Sequence, residues 1–255
     1  GPAVADTIRC PFPGRRRPVE YEHDFAGGLR AEHVREFGEP RMTGRDEYYN
    51  RAKQEGYRSR SAYKLAQLDT AADLFEPGDA VVDLGAAPGG WLQVAAEAVG
   101  PGGTVVGVDR QRIRPLESDD VETIRGDMTD EATVDRLRDA VADGGVDVVV
   151  SDMAPNMTGE YDLDHARSVH LARQAFDVAR DVLVPGGDLV VKVFDGPDLA
   201  ALRDDLSETF EYVRSIHPDA SRDASSELYL VAKGYLTAPV AAGDELTVAV
   251  VDRGD

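Results

Sequence analysis

Residues 80–91 read Ala80-Val81-Val82-Asp83-Leu84-Gly85-Ala86-Ala87-Pro88-Gly89-Gly90-Trp91, and this stretch decides the fold. Ala80, Val81 and Val82 form a short apolar run of the kind buried as a strand. Asp83 follows near its end, and a loop with Gly85, Gly89 and Gly90 comes next. Residues 91–97 then carry helix-like sequence. Strand, glycine-rich turn and helix make the opening unit of a nucleotide-binding α/β fold. Glycines let backbone N–H groups approach a ligand closely. The spacing is not Gly-x-Gly-x-x-Gly, and Pro88 stiffens the turn, which argues against a dinucleotide pyrophosphate clamp. An ordinary tight strand–helix turn would use the same residues.

Outward from this unit, strand-like runs recur at 80–84, 104–109, 121–124, 146–152 and 188–194. Helix-like runs lie between them, including 131–141 and 165–183. Such a βαβ series predicts a parallel sheet covered by helices on both faces. A further helix is expected at 199–208, with strands at 211–216 and 227–232. The residues joining those two strands include Pro218 but no helix, so the two should pair antiparallel. The expected architecture is α/β: a mostly parallel seven-stranded sheet with an antiparallel last strand.

The two ends differ from this pattern. Residues 1–41 carry Arg15-Arg16-Arg17, several prolines and glycines, and no apolar period, which predicts a disordered extension. Met42 is a candidate natural start. Residues 236–255 end in one alternating run, 245–251, and a lone strand does not fold by itself. Residues 41–68 are helical in pattern and basic: Arg41, Arg45, Arg51, Lys53, Arg58, Arg60 and Lys64 face only Asp46, Glu47 and Glu55. Tyr48, Tyr49, Tyr57 and Tyr63 are interleaved. Basic residues with aromatics suit phosphates and unstacked bases, so RNA contact is expected here, with Arg58 and Arg60 among the contacts. A solvated helix face with tyrosines on the core is the alternative.

This local basicity stands out because the 255-residue chain has a formal net charge of −20. Lysine is scarce: Lys53, Lys64, Lys192 and Lys233 are the only four among 28 basic residues. An acid-rich, lysine-poor chain suits a high-salt cytoplasm, where a strongly charged surface resists association. A halophilic, cytoplasmic source is expected. No stretch approaches 18 consecutive apolar residues, so no membrane helix is expected. Cys10 is the only cysteine, and the five histidines show no ligand spacing, so no metal site is expected.

Asp83, Asp109 and Asp127 fall at successive strand ends, which face the ligand crevice in open α/β sheets. A carboxylate at the second strand end commonly bonds a ribose diol, and Asp127 suits an adenine amino group. Three carboxylates would repel a nucleotide triphosphate, and no Gly-Lys-[Ser/Thr] loop is present. They suit an adenosyl ligand with a cationic amino acid head, such as S-adenosylmethionine. Asp152 ends the fourth strand in Ser-Asp-Met-Ala-Pro-Asn-Met; Asn156 follows Pro155, so the Pro-Pro-aromatic grip of base N-methylating enzymes is missing. Residues 42–235 hold no cysteine for carbon methylation. Both exclusions point to an oxygen acceptor. Lys192 ends the fifth strand beside the expected crevice, where burial and nearby charge make a lysine a candidate base. Arginine cannot serve as a base, so retention of lysine at Lys64 and Lys192 is suggestive. Glu227 opens the last strand, where it orients those lysines or the acceptor ribose, or is an edge-strand charge.

Residues 59–65 (Ser-Arg-Ser-Ala-Tyr-Lys-Leu), 82–91, 151–156, 190–194 and 225–230 together resemble the RrmJ/FtsJ family, also called RlmE. Its members are S-adenosylmethionine-dependent ribosomal RNA 2′-O-methyltransferases with a Rossmann-like fold. The resemblance covers about residues 46–235 and implies a methyltransferase domain over 42–235. It implies a Lys-Asp-Lys-Glu tetrad at Lys64, Asp152, Lys192 and Glu227. Its implied cofactor contacts are Gly89, Trp91, Asp109, Asp127 and Asp152, beside Asp83 and Gly85 of the loop. The run Arg-Gln-Arg-Ile-Arg after Asp109 is more basic than the family pattern. Archaeal members often carry a C-terminal TRAM domain, and residues 236–255 resemble only its start. The expected substrate is a uridine ribose in 23S ribosomal RNA, free or in the large subunit, acted on by a monomer. Methylation of a transfer RNA anticodon loop, or a non-catalytic role in ribosome assembly, are the alternatives; a small-molecule O-methyltransferase would leave the basic segment unexplained.

Overall fold

A computed structural model describes residues 44–118, 120–141, 144–221 and 226–236. The expected extension at 1–41 lies outside these, as does the TRAM-like start beyond residue 236.

Seven strands form one sheet: β1 (Ala80–Leu84), β2 (Thr104–Asp109), β3 (Val121–Arg125), β4 (Val146–Ser151), β5 (Leu183–Phe194), β6 (Phe210–Ile216) and β7 (Glu227–Tyr235). Their spatial order is β3-β2-β1-β4-β5-β7-β6. The first five run parallel, and β7 pairs antiparallel with both β5 and β6. Six helices complete the fold: α1 (Gly44–Glu55), α2 (Ala62–Ala72), α3 (Gly90–Val99), α4 (Glu131–Ala140), α5 (Tyr161–Val182) and α6 (Leu199–Ser207). The sheet order reverses direction between β1 and β4, the point where open α/β sheets hold ligands.

Two apolar layers hold the sheet. Leu65 and Leu68 of α2 and Leu92 and Ala95 of α3 pack on one face with Val81, Val148, Val190 and Tyr229. The opposite face joins Val82, Val106, Val149 and Val191 to Leu137, Phe176 and Leu202 of α4, α5 and α6. The central strands are apolar on both faces because helices cover both.

Three expectations are corrected. The basic segment expected as one helix over 41–68 is two helices. Gly56, at φ 82°, occupies the left-handed region that glycine enters without a Cβ clash, and the chain leaves the helix there. The helix expected from 165 starts earlier, at Tyr161, where buried Asp164 ties the preceding turn to the first helical turn. Its carboxylate accepts from the Thr158 and Gly159 amides at 2.8 and 3.0 Å. The fifth strand begins before 188: Val146 pairs with Leu183 and Val148 with Asp188, so residues between them bulge.

Candidate active site

The β1–α3 turn is held by its own backbone and by Asp109. Gly85 and Gly89 have φ of 80° and 107°. A Cβ on Gly85 would lie 2.3 Å from Met153 Cγ. The Asp109 carboxylate accepts from the Ala87 amide at 2.9 Å and the Gln111 amide at 2.7 Å, so it ties the first loop to the second. Asp127 lies in the turn after β3. Its carboxylate accepts from the Thr129 amide and hydroxyl, which hold it below the usual carboxylate range. Arg110 stands 3.7 Å away.

Asp83 is different. It is 1% exposed, and its Oδ2 has no hydrogen-bond partner. Burial pushes its carboxyl well above the ordinary range, and the Asp152 and Asp109 charges add to the shift. Three of the expected cofactor carboxylates therefore share one electrostatic neighbourhood at the ends of neighbouring strands β2, β1 and β4. Asp127 is not among the groups that shift Asp83.

The expected tetrad comes together as two ion pairs. Lys192 Nζ on β5 donates to Asp152 Oδ1 at 2.8 Å and also to the Asp152 carbonyl oxygen. Lys64 Nζ on α2 donates to Glu227 Oε1 on β7. Lys64 and Lys192 are 7% and 8% exposed, so both pairs are largely desolvated. Burial opposes the Glu227 charge, but the Lys64 bond and charge hold its carboxyl below the usual range. Residues 222–225, including Ser225 of the last resembling block, lie outside the described residues.

Tyr229 connects the pairs, and sequence reasoning missed it. Its hydroxyl donates to Asp152 Oδ1 at 2.6 Å, and the Lys64 ammonium lies 5.8 Å from its ring centroid. Tyr229 is also the register partner of Lys192. The available signal was its place two residues after Glu227, on the same strand face. Trp91 packs on Tyr229 with centroids 5.9 Å apart, and its indole N–H donates to the Ser61 carbonyl at 2.8 Å. Its indole thus belongs to the core.

The two arginines expected to touch RNA are engaged inside the protein. Arg58 Nη1 donates to the carbonyls of Pro88 at 3.2 Å and Arg114 at 2.5 Å, and Nη2 to Pro115 at 2.5 Å. Its guanidinium thus clasps the β1–α3 loop to the loop after β2. Arg60 Nη2 donates to the Ala220 carbonyl at 3.1 Å. A basic residue near a ligand cleft reads as a phosphate contact in sequence, but here carbonyls of the protein take three bonds from Arg58 and one from Arg60.

Comparison with known proteins identifies the family of this chain. An FtsJ-like methyltransferase family model matches residues 57–235. A curated relative from Haloquadratum walsbyi, "Ribosomal RNA large subunit methyltransferase E", is 72% identical over 213 residues, covering 84% of this chain and 83% of that protein. A relative of the same name from Halorubrum lacusprofundi is 70% identical over 214 residues, covering 84% and 80%. A solved structure described as a putative ribosomal RNA methyltransferase from Plasmodium falciparum superposes with a TM-score of 0.64 at 27% identity, covering 71% of this chain and all of that one. A match over most of the chain, and relatives sharing more than two thirds of its aligned residues, mean that this chain belongs to the FtsJ-like methyltransferase family.

Proposed function

We propose that this protein transfers a methyl group from S-adenosylmethionine to a ribose 2′-hydroxyl, that of a uridine in 23S ribosomal RNA of the large subunit. One observation carries the reading: two buried lysine–carboxylate pairs, joined through Tyr229, adjoin a buried carboxylate with an unpartnered oxygen. The names of the closely similar relatives support the choice of RNA.

The residues fit the cofactor. A cationic ammonium or sulfonium near Asp83 would relieve a buried carboxylate that lacks a partner and repels its neighbours. Gly85 and Gly89 leave the loop backbone open to a close ligand, Asp109 ends the strand where a ribose diol is bound, and Asp127 follows the next strand. S-adenosylmethionine supplies a methyl group already activated on sulfur, so positioning carries much of the catalysis.

Lys192 is the base. Lys192 is ion-paired with Asp152 as an ammonium, so it acts as a base only after releasing one proton to solvent; the Asp152 side chain and carbonyl fix where its nitrogen sits. Bound S-adenosylmethionine would supply the methyl carbon to the ribose oxygen, and its sulfur would keep the bonding electron pair. The hydroxyl proton passes to Lys192 Nζ. Lys64, held by Glu227, presents a positive charge that favours the developing oxyanion. Tyr229 keeps Asp152 oriented toward Lys192.

The test is methyl transfer from radiolabelled S-adenosylmethionine to unmodified 23S ribosomal RNA and, in parallel, to unmodified transfer RNA, followed by nucleoside analysis. The expected product is 2′-O-methyluridine in the ribosomal RNA. A label confined to transfer RNA, or to a base, overturns the reading.

A further inference from the structure

The segment Met157-Thr158-Gly159-Glu160-Tyr161-Asp162-Leu163 follows Asp152 closely and joins β4 to α5. Within it, Met157 is 65%, Tyr161 54% and Leu163 40% exposed. Among the described residues only six large apolar side chains are exposed, and three of them lie in these seven positions. A chain of net charge −20 covers its surface with acids, so a local apolar cluster calls for a physical account.

The cluster is exposed yet held in place. Asp164, itself 3% exposed, takes the Thr158 amide, the Thr158 hydroxyl and the Gly159 amide on its carboxylate. The Tyr161 hydroxyl donates to the Asp195 carbonyl at 2.6 Å. Asp195 stands three residues past Lys192 on the same chain. Tyr161 therefore bridges the segment that follows Asp152 to the segment that follows Lys192. Glu160 and Asp162 flank the ring and would repel a phosphate. An uncharged aromatic face suits this setting.

We propose that Met157 and Tyr161 form a stacking platform for an unpaired nucleobase of the substrate RNA, adjacent to the methylated ribose. The proposal rests on the RNA substrate proposed above. Every base has a π-face, so such a platform grips RNA without phosphate contacts. Stacking also survives high salt, where phosphate contacts are screened.

The test is steady-state methylation of unmodified 23S ribosomal RNA across a salt series. In the Met157→Ala/Tyr161→Ala double variant, KM for RNA should rise on the order of tenfold, the scale of losing one base–aromatic stack. The rise should persist at high salt, while kcat and S-adenosylmethionine affinity hold. Tyr161→Phe keeps the ring and loses the bond to Asp195, so it should recover most of the RNA affinity lost in Tyr161→Ala. Should the double variant fold poorly, Met157→Ala alone, at an exposed position, should still show part of the rise. A wild-type KM in both alanine variants overturns the platform while leaving the proposed function standing. Equal impairment in Tyr161→Phe and Tyr161→Ala also overturns it, because the hydroxyl would then be structural. If the wild-type protein methylates no RNA, the proposed function fails first and the platform falls with it.

Discussion

The carboxyl ends of the strands handle charge in two opposite ways. On the β2-β1-β4 side, Asp109, Asp83 and Asp152 crowd together, and Asp83 keeps a buried oxygen with no partner. On the β4-β5-β7 side, Asp152 and Glu227 each meet a buried lysine. Asp152 belongs to both halves. Under the proposed function, the region that keeps a buried carboxyl oxygen unpartnered receives a cation that arrives with a ligand. Under the same proposal, the region already paired receives a neutral hydroxyl, whose proton must be moved. The contrast also explains why Arg58 does not neutralise the acids. Its guanidinium is spent on backbone carbonyls, which fix loop shape and leave Asp83 Oδ2 unpartnered.

The sharpest way to break this division is Lys192→Ala. Methyl transfer should fall by about 10²–10⁴-fold, the usual contribution of a general base, while S-adenosylmethionine affinity by calorimetry stays at the wild-type value. Near-normal turnover would remove Lys192 from the acceptor half. Asp83→Asn probes the other half. It should weaken S-adenosylmethionine roughly ten- to hundredfold, the scale of a hydrogen bond to a charged group. The same variant carries a pH signature. Because folding raises the Asp83 pKa, its favourable contribution is complete below the unfolded carboxylate value and is lost as pH rises through the folded one. Thermal melts of the ligand-free wild type should therefore lose stability over that interval, and those of Asp83→Asn should lose less. Identical pH profiles would show that Asp83 is not strained.

Arg58→Ala separates the cofactor loops from RNA. Losing three carbonyl bonds should reduce S-adenosylmethionine affinity by about tenfold and leave the salt dependence of RNA binding unchanged. A flatter salt slope with intact cofactor affinity would return Arg58 to the RNA interface. The smallest effect expected is from Tyr229→Phe, which removes one hydroxyl bond to Asp152. It should lower kcat by roughly two- to tenfold, with cofactor and RNA binding preserved. No change in kcat would mean that Lys192 alone orients Asp152.

Much of this architecture is written in local pattern. Valine runs such as Val148-Val149-Val150 and Val190-Val191 are legible as strands because burial on both faces leaves an uninterrupted apolar record. The strand-end positions of Asp83, Asp109 and Asp152, and the place of Lys192 two residues before the end of its strand run, follow from the same record. What spacing could not show is which groups each side chain meets. Arg58 and Arg60 looked like phosphate donors because their partners are 30 to 160 residues away along the chain. Tyr229 looked like an ordinary core residue, and only the β5–β7 register sets it beside Lys192 and under Lys64.

The order of elements and the glycine-rich turn are thus properties of the chain itself, since each depends on neighbours a few residues apart, whereas the tetrad was implied only by the family resemblance. The break at Gly56, the pairing of Lys64 with Glu227 and the unpartnered buried oxygen of Asp83 belong to the folded molecule. They depend on which distant segments close around each group and on how much water that closure removes, and both are set by tertiary packing.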